Sequence, residues 1–134
     1  MNSVFDTYAM LTLFRGDSGS EKVLAHLRAL TANKDAQGYI SAIALGEIYS
    51  AVLRKKNERA ATLVLQDLTS FPLRIADVDY ELAIEAARLR ARHLLPTADA
   101  YTVALALQKE AALVTGSPSI LALPLSIGLR IEVV

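Results

Sequence analysis

Apolar and polar positions alternate along the chain in two rhythms, short buried runs and longer stretches with helical spacing. Ser3-Val4-Phe5 predicts a short strand that stops at Asp6. Thr7–Phe14 follows with apolar residues at Met10, Leu11, Leu13 and Phe14, as on one side of a helix. Gly16-Asp17-Ser18-Gly19 is a turn, and Ser18 with Glu21 three residues on is a capping-box pattern for a helix through about Ala32. Gly38–Ser41 predicts a buried strand, and Ser41 caps a helix to about Lys56. A further helix covers Glu58–Thr69. Pro72–Ala76 predicts the third strand, Asp79 the cap of a helix Tyr80–His93, and Thr97 the cap of a helix Ala98–Glu110. Leu113–Thr115 and Leu129–Val134 complete five strands. Strands that alternate with helices predict an α/β domain with a mainly parallel sheet covered on both faces. In such sheets ligands bind beyond the carboxyl ends of the strands, near the point where strand order reverses.

Length and composition narrow this picture. The chain has 134 residues, which is the size of one domain, and it shows no repeat or linker. It has no cysteine, so disulfides and thiolate metal sites are excluded, in keeping with a reducing cytoplasm. With 14 basic and 14 acidic residues the formal charge is zero. A nucleic-acid partner would therefore have to use a local basic patch and not a global field. The apolar fraction is 53% and the mean hydropathy +0.33, which points to a subunit interface or to a well-filled core. Ala111–Leu129 carries no charge, but Gly116, Pro118, Pro124 and Gly128 interrupt it, which argues against a spanning helix. No basic region precedes the first apolar stretch, and Asp6 interrupts that stretch, which argues against a signal peptide.

Three carboxylates occupy positions where carboxylates are costly or informative. Asp6 directly follows the first strand and serves either as a cap of the next helix or as a site residue at the sheet edge. Glu47 lies within or beside the apolar stripe formed by Ile43, Ala44, Ile48, Ala51 and Val52. Asp99 falls in the first turn of a late helix, where the helix dipole favours a negative charge. All three belong to the same end of a parallel sheet. If they converge, mutual repulsion calls for a cation or a shared proton. Oxygen ligands without Cys or His suit Mg2+ or Mn2+, and a hard cation held by carboxylates is suited to phosphodiester hydrolysis.

The segments VFDTYAML (4–11), YISAIALGEIYSAVLR (39–54), LPTADAYTVALAL (95–107) and ALVTGSPSI (112–120) resemble, in order, spacing and context, a PIN-domain ribonuclease, in particular the VapC-like toxins of toxin–antitoxin pairs. The resemblance covers essentially the whole chain. It implies a three-layer α/β/α sandwich with a parallel sheet of about five strands. It also implies metal-dependent endonucleolytic cleavage of RNA, a homodimer and a cognate antitoxin that covers the groove. On this resemblance Asp6, Glu47 and Asp99 are the catalytic and metal-holding acids, supported by Thr7, Thr97, Thr115 and Ser117. The family places a fourth acid at the position of Ser117, and often a further one at that of Ser119. Here both are serines, and the next acid is Glu132. A hydroxyl can hydrogen-bond but carries no charge. The expectation is a weakened nuclease. The alternative is a catalytically silent module that binds RNA or an antitoxin-like partner.

Candidate phosphate contacts are Arg15, Arg54, Lys55 and Lys56, with Arg59 beside them; Arg88, Arg90, Arg92 and His93 form a second basic cluster. Each is equally explained as a solvated helix end or face. Tyr8 and Tyr49 neighbour the acids and offer rings for stacking on bases, or for core packing. His26 and His93 lack a second ligand at metal spacing. A phospho-acceptor receiver is disfavoured, because Asp6 stands without a second acid and the third strand ends in Ala76. No Gly-rich phosphate loop follows any strand, which disfavours a nucleotide-binding domain.

Overall fold

Five short strands, β1 (Ser3–Phe5), β2 (Gly38–Ser41), β3 (Leu73–Ala76), β4 (Ala112–Thr115) and β5 (Arg130–Val133), form one sheet in the computed structural model, which describes residues 1–134. All four pairings are parallel, and the spatial order is β3-β2-β1-β4-β5. Parallel neighbours need crossovers, and helices supply them. Between β1 and β2 run α1 (Thr7–Arg15) and α2 (Ser20–Ala32); between β2 and β3, α3 (Ala42–Lys55) and α4 (Glu58–Ser70). Between β3 and β4 run α5 (Tyr80–Arg92) and α6 (Thr97–Gln108). The last crossover holds α7 (Pro118–Leu121) and a single 3-10 turn at Leu125–Ile127, both within the uncharged stretch Ala111–Leu129. No helix is long and apolar enough to cross a membrane.

Side-chain alternation along the central strands divides the core in two. Val4 and Leu113 point to one face, with Tyr39 packed alongside, and meet Leu82, Ala86, Val103 and Leu105 of α5 and α6. Phe5, Ile40 and Val114 point to the other and meet Met10, Leu27, Ile48 and Leu68 of α1 to α4. Register makes this work: Val4 lies between Tyr39 and Leu113, and Phe5 beside Val114. The sheet is therefore covered on both sides, and the all-buried ALVT of β4 reads as an interior parallel strand. The three-layer α/β/α sandwich expected from the sequence is the observed fold.

Two predicted caps hold and two do not. Ser41 accepts the Ile43 N–H at 3.1 Å, and Asp79 accepts the Leu82 N–H at 2.8 Å, as N-caps do. Ser18 does not cap α2. The turn closes instead through the Ser20 N–H to the Asp17 carbonyl at 3.0 Å, and Gly19 lies against Thr12 and the Val134 backbone, so the helix starts at Ser20. Thr97 is likewise not a cap but the first residue of α6. Pro96, extended, precedes it, and its carbonyl accepts the Ala100 N–H at 3.0 Å. Asp99 therefore stands in the third helical position, within reach of the helix's positive end.

Strand β1 is the pivot of this topology. The chain moves outward from it to β2 and β3, then returns to place β4 on its other side. The carboxyl ends of β1 and β4 thus flank the switch point, where neighbouring crossovers diverge and leave a cleft.

Gly38 begins β2 under tight cover. A Cβ there would lie 2.5 Å from Leu30 Cδ1 and 2.9 Å from both Leu73 Cδ2 and the Pro72 carbonyl oxygen. Gly38→Ala is expected to destabilise the protein by about 1–3 kcal/mol through overpacking, read as a lower urea midpoint at unchanged m-value.

Candidate active site

Asp6 emerges from the buried end of β1 and is itself only 1% exposed. Both its oxygens are engaged. Oδ1 accepts the Ala9 N–H at 2.8 Å and so caps α1. Oδ2 accepts the hydroxyl of Thr115, the last residue of the adjacent strand β4. The two roles weighed for Asp6, cap and sheet-edge acid, are thus held by its two oxygens separately.

From Thr115 the bonding continues across the cleft. The Ser117 N–H donates to Thr115 Oγ1 at 2.9 Å, and the Ser117 hydroxyl donates to Asp99 Oδ2 at 2.8 Å. Asp6 and Asp99 are therefore joined through two hydroxyl residues of one loop, with each hydroxyl proton turned toward a carboxylate. Gly116 lies between them, and its missing side chain matters. A Cβ at Gly116 would fall 2.3 Å from Tyr8 Cε1, so only glycine lets the Tyr8 ring lie over this loop. That close approach was not readable from sequence.

The electrostatics follow from burial. Loss of solvent pushes the Asp6 carboxyl up to about 7 from an ordinary 3.8, against the opposing hydrogen bonds from Thr115 and Ala9; the Asp99 charge adds to the rise. Asp99 is also raised, first by partial burial and then by the Glu47 charge, with the Ser117 hydroxyl acting against both. Each acid thus feels the next, in the order Asp6, Asp99, Glu47.

Of the two places expected for Glu47, within or beside the apolar stripe, the structure shows the second. Ala44 and Ile48 take the buried positions of α3, and Glu47 stands exposed beside them. As the side chains stand, no three acids or histidines draw close enough to hold a metal ion among themselves. The fit to a divalent cation is therefore partial. Asp6 and Asp99 offer oxygen donors suited to a small hard ion, and Glu47 joins them only by turning inward, which its exposure permits. Thr7, beside Asp6, carries a buried hydroxyl with no hydrogen-bond partner, an unfilled polar position at the site's margin. Thr97 is exposed and makes no capping bond, so it gives the acids no visible support.

Three of the basic candidates share one groove. Arg15, Lys55 and Lys56 line a groove of about 310 Å3 together with Leu11, Phe14 and Val52, between α1, α3 and α4. Arg54 is exposed in the last turn of α3 and does not line that groove.

A five-stranded parallel sheet is the fold that the sequence resemblance implied, and the family comparison agrees with that fold. The sequence profile of the PIN domain matches residues 3–117, and the chain belongs to the PIN-domain family. No curated protein sequence matches it. The fold is shared by a chain of the VapBC2 complex of Rickettsia felis, solved with a DNA fragment from its promoter, at TM-score 0.78 and 20% identity over 99% of this chain and 98% of that one. It is shared by a chain of DNA-bound VapBC from Salmonella typhimurium, at TM-score 0.77 and 19% identity over 99% and 98%. VapC20 of Mycobacterium tuberculosis, described as a toxin that cleaves the sarcin-ricin loop, matches at TM-score 0.70 and 22% identity over 90% and 93%.

Burial of Asp6 has a measurable consequence without any ligand. Unfolded, the carboxyl loses its proton near pH 3.8; folded, it keeps it to about pH 7. The native state therefore holds the extra proton between those values, so stability from this group falls as pH rises through the window and levels off above it. The full span is roughly 4 kcal/mol. Asp6→Asn, which keeps an oxygen for Ala9, should flatten the decline in urea-unfolding stability between pH 4 and pH 8. Equal slopes in wild type and variant would show that Asp6 titrates normally.

Proposed function

We propose that this chain is a VapC-like endoribonuclease that hydrolyses RNA phosphodiester bonds with Mg2+ or Mn2+, acting in the cytoplasm as the toxin of a toxin–antitoxin pair. The observation that carries the reading is the hydroxyl-bridged pair Asp6 and Asp99 at the switch point of a PIN-domain sheet. A buried acid that keeps its proton to about pH 7 is one whose charge awaits a counter-charge. Asp6 and Asp99 would hold the cation, with Glu47 turning in as the third acid. Such a cation supplies Lewis-acid stabilisation of charge that develops on the phosphate.

The chain's own residues do the rest. Thr115 fixes the Asp6 carboxylate and Ser117 fixes Asp99, so both acids are oriented before any ligand arrives. Arg15, Arg54, Lys55 and Lys56 supply the positive surface for backbone phosphates, and the exposed Tyr8 ring lies beside the acids, where a base can stack. The solved VapBC relatives are toxin–antitoxin complexes, which supports an antitoxin as the protein partner. A homodimer is the expected assembly of this class.

A second reading rests on a specific observation. Ser117 replaces the acid that the family places there, and the three remaining acids do not close into one ligand set. A domain in this state could retain binding of RNA or antitoxin without cleavage.

Incubation of a mixed RNA pool with Mn2+, Mg2+ or EDTA separates the two. Metal-dependent cutting that falls on the order of a hundredfold or more in Asp6→Asn is the expected result. No cutting by wild type, with activity gained in Ser117→Asp, would establish the binding module instead.

A further inference from the structure

The ring of Tyr8 has two neighbourhoods. It lies against Gly116, between the Thr115 that holds Asp6 and the Ser117 that holds Asp99. The same ring lines a cavity of about 290 Å3 together with Leu11, Thr12, Arg15, Asp17 and Ser18. That volume is near the lower end for small-ligand pockets and suits a single nucleotide. Tyr8, Thr12 and Arg15 recur at spacings of four and three, so they share one face of α1. This face leads from Tyr8, beside the acids, to a guanidinium about 10 Å further along the helix.

Asp17 is set in place by backbone bonds. Gly16, with φ 68°, turns the chain back after α1. Its N–H donates to the Leu13 carbonyl at 3.2 Å and the Asp17 N–H to the Thr12 carbonyl at 3.2 Å, the paired bonds of a Schellman turn. The Asp17 carbonyl in turn accepts the Ser20 N–H at 3.0 Å. The residue is thus fixed while Asp17 and Arg15 both stand exposed. The ion pairs of this chain are Glu85–Arg88 and Arg130–Glu132, and neither Arg15 nor Asp17 takes part in one. One small cavity therefore presents an aromatic ring, a free guanidinium and a free carboxylate.

We propose that this cavity is a base-specific subsite, which takes a guanine nucleotide of the RNA at a fixed distance from the phosphate held at the acids. A nucleotide matches all three groups, since it carries a planar base and an anion and offers hydrogen-bond donors. Tyr8 stacks on the base, Arg15 takes a phosphate in its donor fork, and Asp17 reads the base edge. An ionised carboxylate only accepts hydrogen bonds. Guanine alone offers it two adjacent donors, N1–H and the 2-amino group. Adenine and cytosine place an acceptor nitrogen beside their amino group, and uracil flanks its N–H with two carbonyls. Each of those acceptors would face a carboxylate oxygen, so the same group that favours guanine disfavours the other bases.

The subsite rests on the ribonuclease reading for its place along the RNA, and two measurements separate the two. In the first, a randomised RNA is digested with Mn2+ and the cut ends are sequenced. Guanine should be enriched about tenfold at one position relative to the cut, and Asp17→Asn should abolish that enrichment. Cutting without such a position, or with one that Asp17→Asn leaves intact, would overturn the subsite and leave the nuclease standing. The second needs no cutting. In EDTA, 5′-GMP and 5′-IMP, which lacks the 2-amino group, are titrated against the full chain by NMR. GMP should shift the Tyr8 ring signals and bind about tenfold more tightly than IMP, for the loss of one charge-assisted hydrogen bond. Asp17→Asn should bind the two equally. That discrimination in a protein that cuts no RNA would uphold the subsite and sink the nuclease. Equal affinity for GMP and IMP in wild type, a result that depends on no variant, would overturn the subsite.

Discussion

A carboxylate buried at the end of the central strand is the constraint around which this site is organised. Asp6 leaves water almost completely, and a group in that position must be hydrogen-bonded, neutralised or both. The fold hydrogen-bonds it from two directions, by the first turn of α1 and by the last residue of β4. Neither donor carries a charge, so the carboxyl keeps its proton to about pH 7. The same burial that disfavours a bare anion makes any cation there a strong electrostatic partner, because little solvent screens the contact.

That arrangement exists because of sheet order. Asp6 and Thr115 are 109 positions apart in sequence and become hydrogen-bonded because β4 returns to lie beside β1. The parallel register brings Phe5 level with Val114, so the next residues, Asp6 just past β1 and Thr115 at the end of β4, meet at the same height. Ser117, two residues past Thr115, then reaches Asp99 at the start of α6. A shift of one residue in this register would exchange the faces of Val4 and Phe5 and disrupt both cores as well as the site. Core packing and site geometry are thus enforced by the same pairing.

The departure at Ser117 has a structural counterpart. The serine stands where the family resemblance implies an acid, and it makes two contacts that tie Asp6 and Asp99 together, one through its N–H and one through its hydroxyl. A carboxylate there would add charge for a cation and would lose the hydroxyl proton that Asp99 now accepts. On the proposed reading, a serine at this position exchanges ligand charge for preorganisation, and Glu47, exposed on α3, is the acid left free to move.

Much of this was written in local sequence. The strands Ser3–Phe5 and Gly38–Ser41, the caps at Ser41 and Asp79, and the placement of Asp6, Glu47 and Asp99 at one end of a parallel sheet follow from hydrophobic period, cap chemistry and strand–helix alternation, all of which act over a few residues. The resemblance to the PIN family supplied the order of the acids. What local pattern could not decide was set by contacts distant in sequence. The start of α2 at Ser20 depends on Gly19 lying against Thr12 and the Val134 backbone. The exposure of Glu47, which the apolar spacing of α3 had placed in or beside its stripe, depends on which side of that helix the sheet covers. The need for glycine at 116 depends on the ring of Tyr8. The bridge from Asp6 through Thr115 and Ser117 to Asp99 depends on strand order. Periodicity fixes which face of an element is apolar, but only tertiary packing fixes what that face meets, and the chemistry of this site lies in those meetings.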